Sequence, residues 1–391
     1  MKHSARRSLG VTLLVCIIAL LSACGGSGAG GSGGGETSRD FLDQNKEVVD
    51  TLFEGTYVDP PPAAPAPKAG AKLWIISYGQ SYSGAALESS AAEDAARTLG
   101  WDVTIYDAKF DPNKAVDGLR QAVAAGADGV FVLWFDCASI KAGLLEADQA
   151  GVFVAADEAT DCSDKPLFDY IVSYHPGTFD QNDGSFAGYL QGWGAALASY
   201  AIERTDGKAK ALMFDQTDTS SIGLVNKGAR ARLDECEGCE VVQTVKFTGA
   251  DIGPGLQQRA QQALLQHPEV DVIIAPADGV LSGGVLAALR ASGSRYGSMV
   301  IAGGEGSSVL TDMRDYRGDW AVNTLPLDWS GYQAVDALNR LLIGEKPAAD
   351  SGIGYQLVDK EHNLPGGDLA VGMRDGAPID FAGLYGQSWK N

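Results

Sequence analysis

"KLWIISYGQSYSG", Lys72 to Gly84, begins as a core strand and ends as something else. Leu73, Trp74, Ile75 and Ile76 form a short continuous apolar run, the pattern of a strand buried on both faces. Tyr78, Gly79, Gln80, Ser81, Tyr82 and Ser83 then bring two rings and several hydrogen-bonding side chains, with no charge. A helical pattern follows, with Leu87, Ala91, Ala92, Ala95 and Leu99 on one face. The succession recurs. "DVTIY", "GVFVLW" and "GVFVA" read as strands, separated by a helix marked by Val116, Leu119 and Val123 and by a helix over 138–150. Beyond them come a strand near 170–174, a helix over 184–204, "KALMF", a helix over 220–233, a strand over 241–247, a helix over 255–266, "VDVIIA", a helix over 281–292 and "MVIAG". About ten strands alternating with helices predict an α/β fold of two doubly wound parallel-sheet lobes rather than one giant sheet.

In such sheets the loops after the strands' carboxyl ends collect at one edge, where ligands bind. Those loops deliver Tyr78, Gln80, Ser81 and Tyr82, then Trp134 and Asp136, then Asp157 and Glu158, then His175. Later strands deliver Asp215, Thr217, Asp218, Asp278 and Glu305. Rings flanked by hydrogen-bonding groups suit a sugar or another small polyol. Helix capping accounts for roughly half of these acids, with Asp218, Asp278 and Ser307 at capping positions. It does not account for two rings in one loop.

The chain has 391 residues, enough for two lobes, with 45% apolar residues and a formal charge of -20. That balance argues against nucleic-acid binding, which needs a basic footprint. Lys2, Arg6 and Arg7 precede a short apolar stretch, Leu9–Ala23, which ends in Leu21-Ser22-Ala23-Cys24. Residues 1–23 read as a signal peptide, and the end of the stretch resembles the lipobox of bacterial lipoproteins, with Cys24 as the acylated residue. An ordinary secretory signal is the alternative. Residues 24–70 read as a tether: a Gly/Ser coil, a mildly amphipathic stretch from Phe41 to Phe53, and the stiff "VDPPPAAPAPKAG". Four further cysteines, Cys137, Cys162, Cys236 and Cys239, allow three connectivities outside the cytoplasm. Cys137–Cys162 follows consecutive strands and Cys236–Cys239 sits in the turn "DECEGCE", so these two pairs are expected. A zinc site and a redox C-x-x-C are the rivals, weakened by the missing second ligand pair and by the motif's place after a helix.

Several stretches occur together in order: "IISYGQSYSGAALESSAAEDAARTLGW", "AVAAGADGVFVLW", "ADQAGVFVAADEA", "LLQHPEVDVIIAPADGVLSGGVLAALRASG", "MVIAGGEGSS" and "AVNTLPLDWSGYQAVDALNRLLIGEKP". With them the body, residues 71–358, resembles the type 1 periplasmic binding proteins of the ribose/galactose-binding kind, which share their fold with the LacI effector domain. The resemblance implies two lobes joined by three hinge crossovers and closing on a small polar ligand. It assigns 71–175 plus 326–352 to lobe 1, and 176–325 plus 353–391 to lobe 2 with the C-terminal segment. The family's ligand positions fall on Tyr78, Gln80, Ser81 and Tyr82, on Asp157-Glu158, near Val225 or Asn226, on Ala277-Asp278, on Glu305 and on Thr324, with Trp329 nearby. Two arginines usual in the family are Glu158 and Val225 or Asn226 here. That leaves room for an amino sugar, another cationic solute or a metal-assisted site.

The implied role is the solute-binding lipoprotein of an ABC importer, held at the extracytoplasmic face of the cell membrane by its lipid. Its partners would be a polar solute and an ABC permease. A monomer is expected, with no cofactor and no resident metal. The alternatives are a sensing lipoprotein of the same fold serving a membrane receptor or kinase, and a hydrolase. P-loop and H-E-x-x-H motifs are absent, and the G-x-S-x-G around Ser32 lies in the Gly/Ser coil. A hydrolase would have to join Ser81 to His175, or use a carboxylate pair.

Overall fold

The structure, a computed structural model, describes residues 37–61 and 66–390. The expected signal peptide, Cys24 and the Gly/Ser run lie outside the described residues. In chain order the first elements are α1 (Arg39–Glu54), β1 (Lys72–Ser77), α2 (Ser83–Thr98), β2 (Asp102–Asp107), α3 (Pro112–Ala124), β3 (Gly129–Leu133), α4 (Cys137–Ala150), β4 (Phe153–Asp157) and β5 (Tyr170–Ile171). Then come α5 (Phe186–Arg204), β6 (Lys210–Gln216), α6 (Ser220–Asp234), β7 (Glu240–Phe247), α7 (Pro254–Gln266), β8 (Val272–Ala275), α8 (Asp278–Val280), α9 (Leu286–Ala291), β9 (Val300–Gly303), α10 (Leu310–Asp315) and β10 (Trp320–Asn323). The chain ends with α11 (Leu327–Leu342), β11 (Leu357–Val358), the hairpin β12 (Met373–Arg374) and β13 (Ala377–Pro378), and α12 (Phe381–Ser388).

Two sheets result, in the orders β2-β1-β3-β4-β5 and β7-β6-β8-β9-β10-β11. The first five strands of the second sheet repeat the winding of the first, and every neighbouring pair among them is parallel. Within these two sheets β11 alone runs antiparallel, against β10; the separate hairpin β12–β13 is antiparallel as well.

Alternation along the strands explains why both faces are covered. In lobe 1, Leu73, Ile75, Phe131, Leu133 and Ala155 face one way, packed with Ala92 and Ala95 of α2 and Val335 and Leu338 of α11. Ile76, Val130, Val132, Val154 and Ala156 face the other way, onto Leu119 of α3 and Leu144 of α4. In lobe 2, Met213 and Ile274 meet α5, while Leu212, Phe214, Ile273 and Ile301 meet α7, α9 and α10.

Three crossovers join the lobes, between β5 and α5, between β10 and α11, and between α11 and β11. A fourth connection is new. The mildly amphipathic stretch expected within the tether is helix α1, started by Ser38 as N-cap and packed on α5 through buried Val49 and Leu52. Its Asn45 side chain donates to Ser199 O at 2.9 Å. The chain then runs along the hinge, with Thr56 N–H donating to Tyr355 O at 3.1 Å and Val58 N–H to Gly352 O at 3.1 Å. The folded body therefore begins by Ser38 rather than near Ala71, because α1 carries an apolar stripe that solvent would not hold folded on its own. The C-terminal helix α12 likewise differs from its expected place. It packs on α11 and α2 of lobe 1, with Phe381 stacked on Trp329 at 5.2 Å.

The Cys137 and Cys162 sulfurs lie 2.02 Å apart and those of Cys236 and Cys239 2.06 Å apart. No helix among the described residues is long and apolar enough to cross a membrane.

Candidate functional site

The carboxyl ends of the two sheets supply the residues that meet between the lobes. Tyr82, just before α2, reaches across to lobe 2: Gly279 N–H donates to its hydroxyl at 3.2 Å, and the hydroxyl lies 3.5 Å from Glu305 Oε1. The approach is so close that a Cβ on Gly279 would stand 2.4 Å from the Tyr82 ring, which only glycine avoids. A second link joins Ser220, at the start of α6, whose hydroxyl donates to Asp136 Oδ1 at 2.9 Å. The same oxygen accepts from Thr160 N–H at 2.7 Å.

In lobe 1 the site is aromatic and acidic. Trp134 and Glu158 both take left-handed backbone, φ +65° and +44°, directly after β3 and β4. Backbone strain of this kind, about 1–3 kcal/mol each, collects at functional sites. The Trp134 ring stands edge-on to Tyr82 at 5.3 Å, and its Nε1 donates to Glu88 Oε2 at 3.0 Å. Glu88, fully buried on α2, faces the equally buried Asp157. Asp157 Oδ1 accepts from Tyr174 Oη at 2.6 Å and from Glu158 N–H at 2.8 Å. The Ser330 hydroxyl of α11 lies beside Asp157, and the Glu88 and Asp157 carboxyls face each other and share one proton. Burial first, then the Asp157 charge, pushes the Glu88 carboxyl well above the usual carboxylate range, and the proton resides on Glu88. Burial, then Asp157 and Glu305, pushes Glu158 up as well.

Lobe 2 contributes a differently built pair. Asp278 is saturated: Gly306 N–H at 3.1 Å and Val309 N–H at 3.2 Å donate to its carboxylate, as does Ser308 N–H. It ties the loop after β9 to the start of α8. Gly304, at φ +92°, permits this, since a Cβ there would fall 2.4 Å from Asp278 Oδ1. Glu305 Oε2 accepts from Asp278 N–H at 2.5 Å. Burial, then the Asp278 charge, raises Glu305 to about 8. Asn226 of α6 donates to Phe214 O at 2.8 Å, and its buried Oδ1 has no partner.

The residues singled out from sequence thus divide. Tyr78, Tyr82, Trp134, Asp136, Asp157, Glu158, Asp278 and Glu305 gather about the interlobe face, Tyr78 within 6.1 Å of Trp134 and raised in pKa by burial and by Asp218 of the other lobe. Asn226 stands at the same edge of lobe 2. Gln80 is turned inward, its Nε2 donating to Ser77 Oγ at 2.7 Å and Ser89 Oγ at 2.9 Å, so it braces the loop. Ser81 is exposed.

Three residues belong to the hinge instead. His175 Nδ1 pairs with Asp350 Oδ2 at 2.8 Å, and its backbone N–H donates to Ile353 O. Thr324 Oγ1 is occupied by the Tyr57 hydroxyl and by Gln356 N–H. Trp329 is buried between Tyr57 and Phe381. These corrections share a cause: all three lie in or beside a crossover, where packing of the straps takes up the side chains. His175 is engaged by Asp350 at the hinge, and no hydrogen bond among the described residues joins it to Ser81. Sequence reasoning missed Glu88, Tyr174, Ser220 and Gly279. Glu88 left a trace, a lone acid four and seven residues before Ala92 and Ala95 on the apolar stripe of α2.

The comparisons agree with this architecture. A family model described as a periplasmic binding protein domain matches residues 77–346. No curated protein matches. A glucose-galactose binding protein from Geobacillus stearothermophilus shares the fold at TM-score 0.62 and 17% identity, over 76% of this chain and all of that one. An ABC transporter solute binding protein from Mycobacterium smegmatis with bound glycerol aligns at TM-score 0.64 and 16% identity, over 78% of this chain and 100% of its own. One from Bacillus halodurans with bound myo-inositol aligns at 0.63 and 17%, over 75% and 96%. Most of the chain is matched by the family model, and its two like-wound lobes repeat the solved structures: it belongs to the type 1 periplasmic binding proteins, extracytoplasmic solute binders that are not enzymes.

Proposed function

We propose that this chain is an extracytoplasmic solute-binding lipoprotein that captures a small polar solute, a sugar, amino sugar or polyol, between its lobes and delivers it to the permease of an ABC importer. The observation that carries this reading is Tyr82, which spans the cleft from the end of β1 to Gly279 and Glu305. Groups at the carboxyl edges of both sheets can close on one ligand only if they meet there. The solutes named with its structural neighbours, galactose and glucose, glycerol and myo-inositol, are of the class proposed. Tyr78, Tyr82 and Trp134 would stack on the solute, and Asp136, Asp157, Glu158, Asn226, Asp278 and Glu305 would bind or frame its polar edge. Cys24 would carry the lipid, Cys137–Cys162 and Cys236–Cys239 would be disulfides, and the protein would act as a monomer. A thermal-shift screen of sugars, amino sugars and polyols tests the reading. A true solute at 100 times its Kd adds about 2.7 kcal/mol of stability. A folded protein that responds to no member of the panel would refute it.

A further inference from the structure

The carboxyls at the cleft have no cation of their own. Glu88, Asp157 and Glu158 come from lobe 1, and Asp278 and Glu305 from lobe 2. Among the described residues none of the five enters an ion pair with Lys, Arg or His. Asp278 is answered by backbone N–H groups of its own lobe. Glu158 and Glu305 are not. The Glu158 carboxyl has no hydrogen bond within the described residues, and it feels the Glu305 charge across the cleft. Like charges brought together out of water oppose lobe closure unless something positive lies between them.

A second observation is independent of the charge count. Three buried acceptors of the cleft are without a full hydrogen-bond partner. Glu88 Oε1 and Asp157 Oδ2 meet over a proton, with the Ser330 hydroxyl beside Asp157, and Asn226 Oδ1 on lobe 2 has no partner. These side chains are 0%, 0% and 9% exposed. Such a lining calls for a ligand rich in donors. A bare metal ion fits poorly. Among the described residues the only His, Cys, Asp and Glu donor atoms close enough to share one ion belong to Cys137, Asp161 and Cys162, where the sulfurs are already paired. Spread acceptors beside rings suit an organic cation. An ammonium offers three N–H donors and is drawn to an aromatic face, and the Tyr82 and Trp134 rings stand 5.3 Å apart beside these acids.

We propose that the solute carries a protonated amine besides its hydroxyls, and that the amine is held between Glu158 of lobe 1 and Glu305 of lobe 2 against the rings of Tyr82 and Trp134. The proposal rests on the solute-capture reading above and narrows it. The groups around the amine would be Glu88 and Asp157 behind Glu158, Asp278 behind Glu305, and the Tyr82, Tyr174 and Tyr189 hydroxyls, which sense the same charges. None of them is basic.

The test uses matched probes on the full chain by titration calorimetry: 2-amino-2-deoxy-D-glucose against D-glucose, 2-amino-2-deoxy-D-galactose against D-galactose, and an aminocyclitol against myo-inositol. The amine of at least one pair should bind tenfold or more tighter than its neutral partner. Glu158→Gln should weaken that amine about ten- to a hundred-fold and leave the neutral partner within about threefold. Glu305→Gln, a near-isosteric change, should do the same and guards against a folding defect in the first variant. Neutral probes that bind as tightly as their amines, or an amine indifferent to both substitutions, would overturn the amine and leave solute capture standing. A panel in which neither member of any pair binds the folded protein would overturn both.

Discussion

Glu305 makes lobe closure sensitive to pH in a direction opposite to that of most acids. Its carboxyl is 5% exposed, touches Tyr82 of lobe 1, and is raised to about 8, first by burial and then by the Asp278 charge. When the lobes part, water returns and the carboxyl falls back toward its ordinary value of 4.5, kept above it by Asp278 of the same lobe. The closed form therefore binds more protons than the open one between those two values. Its advantage is complete below about 4.5 and is lost as pH rises through about 8. At about 1.36 kcal/mol per pH unit, the gap between 4.5 and about 8 corresponds to about 5 kcal/mol. This is a ceiling, because the part of the shift that Asp278 causes is present in the open form as well. Within the window the open-to-closed ratio should rise up to about tenfold per pH unit. Glu158, facing Glu305 and also raised, acts with the same sign. Small-angle scattering of the ligand-free protein from pH 5 to 9 reads the effect as a growing radius of gyration. Glu305→Gln keeps the acceptor for Asp278 N–H and removes the charge, so its curve should be markedly flatter. A parent protein whose lobes stay equally closed across this range, or a Gln variant with the parent's slope, would refute the reasoning.

Four other outcomes are expected. Cys24→Ser should leave the protein unprocessed or free in the soluble fraction; a Ser variant that is processed at residue 24 and membrane-bound would count against a lipid anchor. Thiol titration of the native, unreduced protein should find no reactive groups among Cys137, Cys162, Cys236 and Cys239, and Cys137→Ser should cost about 3 kcal/mol in denaturant unfolding, since the bridge closes a loop of sequence separation 25. Gly279→Val should drive the Tyr82 ring from its seat, 2.4 Å from the added Cβ, and weaken solute binding at least tenfold with little change in the melting of either lobe. Glu88→Gln replaces a carboxyl that must hold a proton by an amide that donates without one; stability should rise by about 1 kcal/mol at pH 8 and be unchanged at pH 4, as chemical denaturation would show.

Much of the fold could be read from the chain because its strands are buried on both faces, which makes them short apolar runs with helical stripes between. The run at Leu73–Ile76 is the clearest case, and β3 is buried at every position. Elements without such a signal were harder to place. Strand β5 is two residues long, and the expected helix over 281–292 is broken by Gly284 at φ +153°. Helix α1 has a clear apolar stripe, but its partner α5 lies more than a hundred residues away, and nothing local distinguishes a docked helix from one in a tether. The candidate site was legible where a loop follows a strand directly, as at Tyr82, Trp134, Asp157 and Glu305. It was illegible where function depends on a long-range partner. Glu88 gains its role only from the Asp157 it faces, and Thr324 and Trp329 lose theirs to Tyr57, which precedes them by more than 260 residues.

The two lobes differ in when they can be finished. The body of lobe 2 is one continuous stretch from α5 to β10, on which α1 docks from earlier in the chain and whose sheet β11 joins from further on. The sheet of lobe 1 emerges before it, yet one face of that sheet waits for α11, which begins at Leu327, and α12, which begins at Phe381, packs on α11 and α2 later still. Until α11 arrives, Leu73, Ile75, Phe131 and Leu133 have α2 over them. The earlier of the two sheets is therefore the later to be covered, a long loop closure that slows folding and prolongs exposure of apolar surface. A chain that crosses a membrane before folding turns this delay to use, because lobe 1 cannot lock before its C-terminal helices have followed it across.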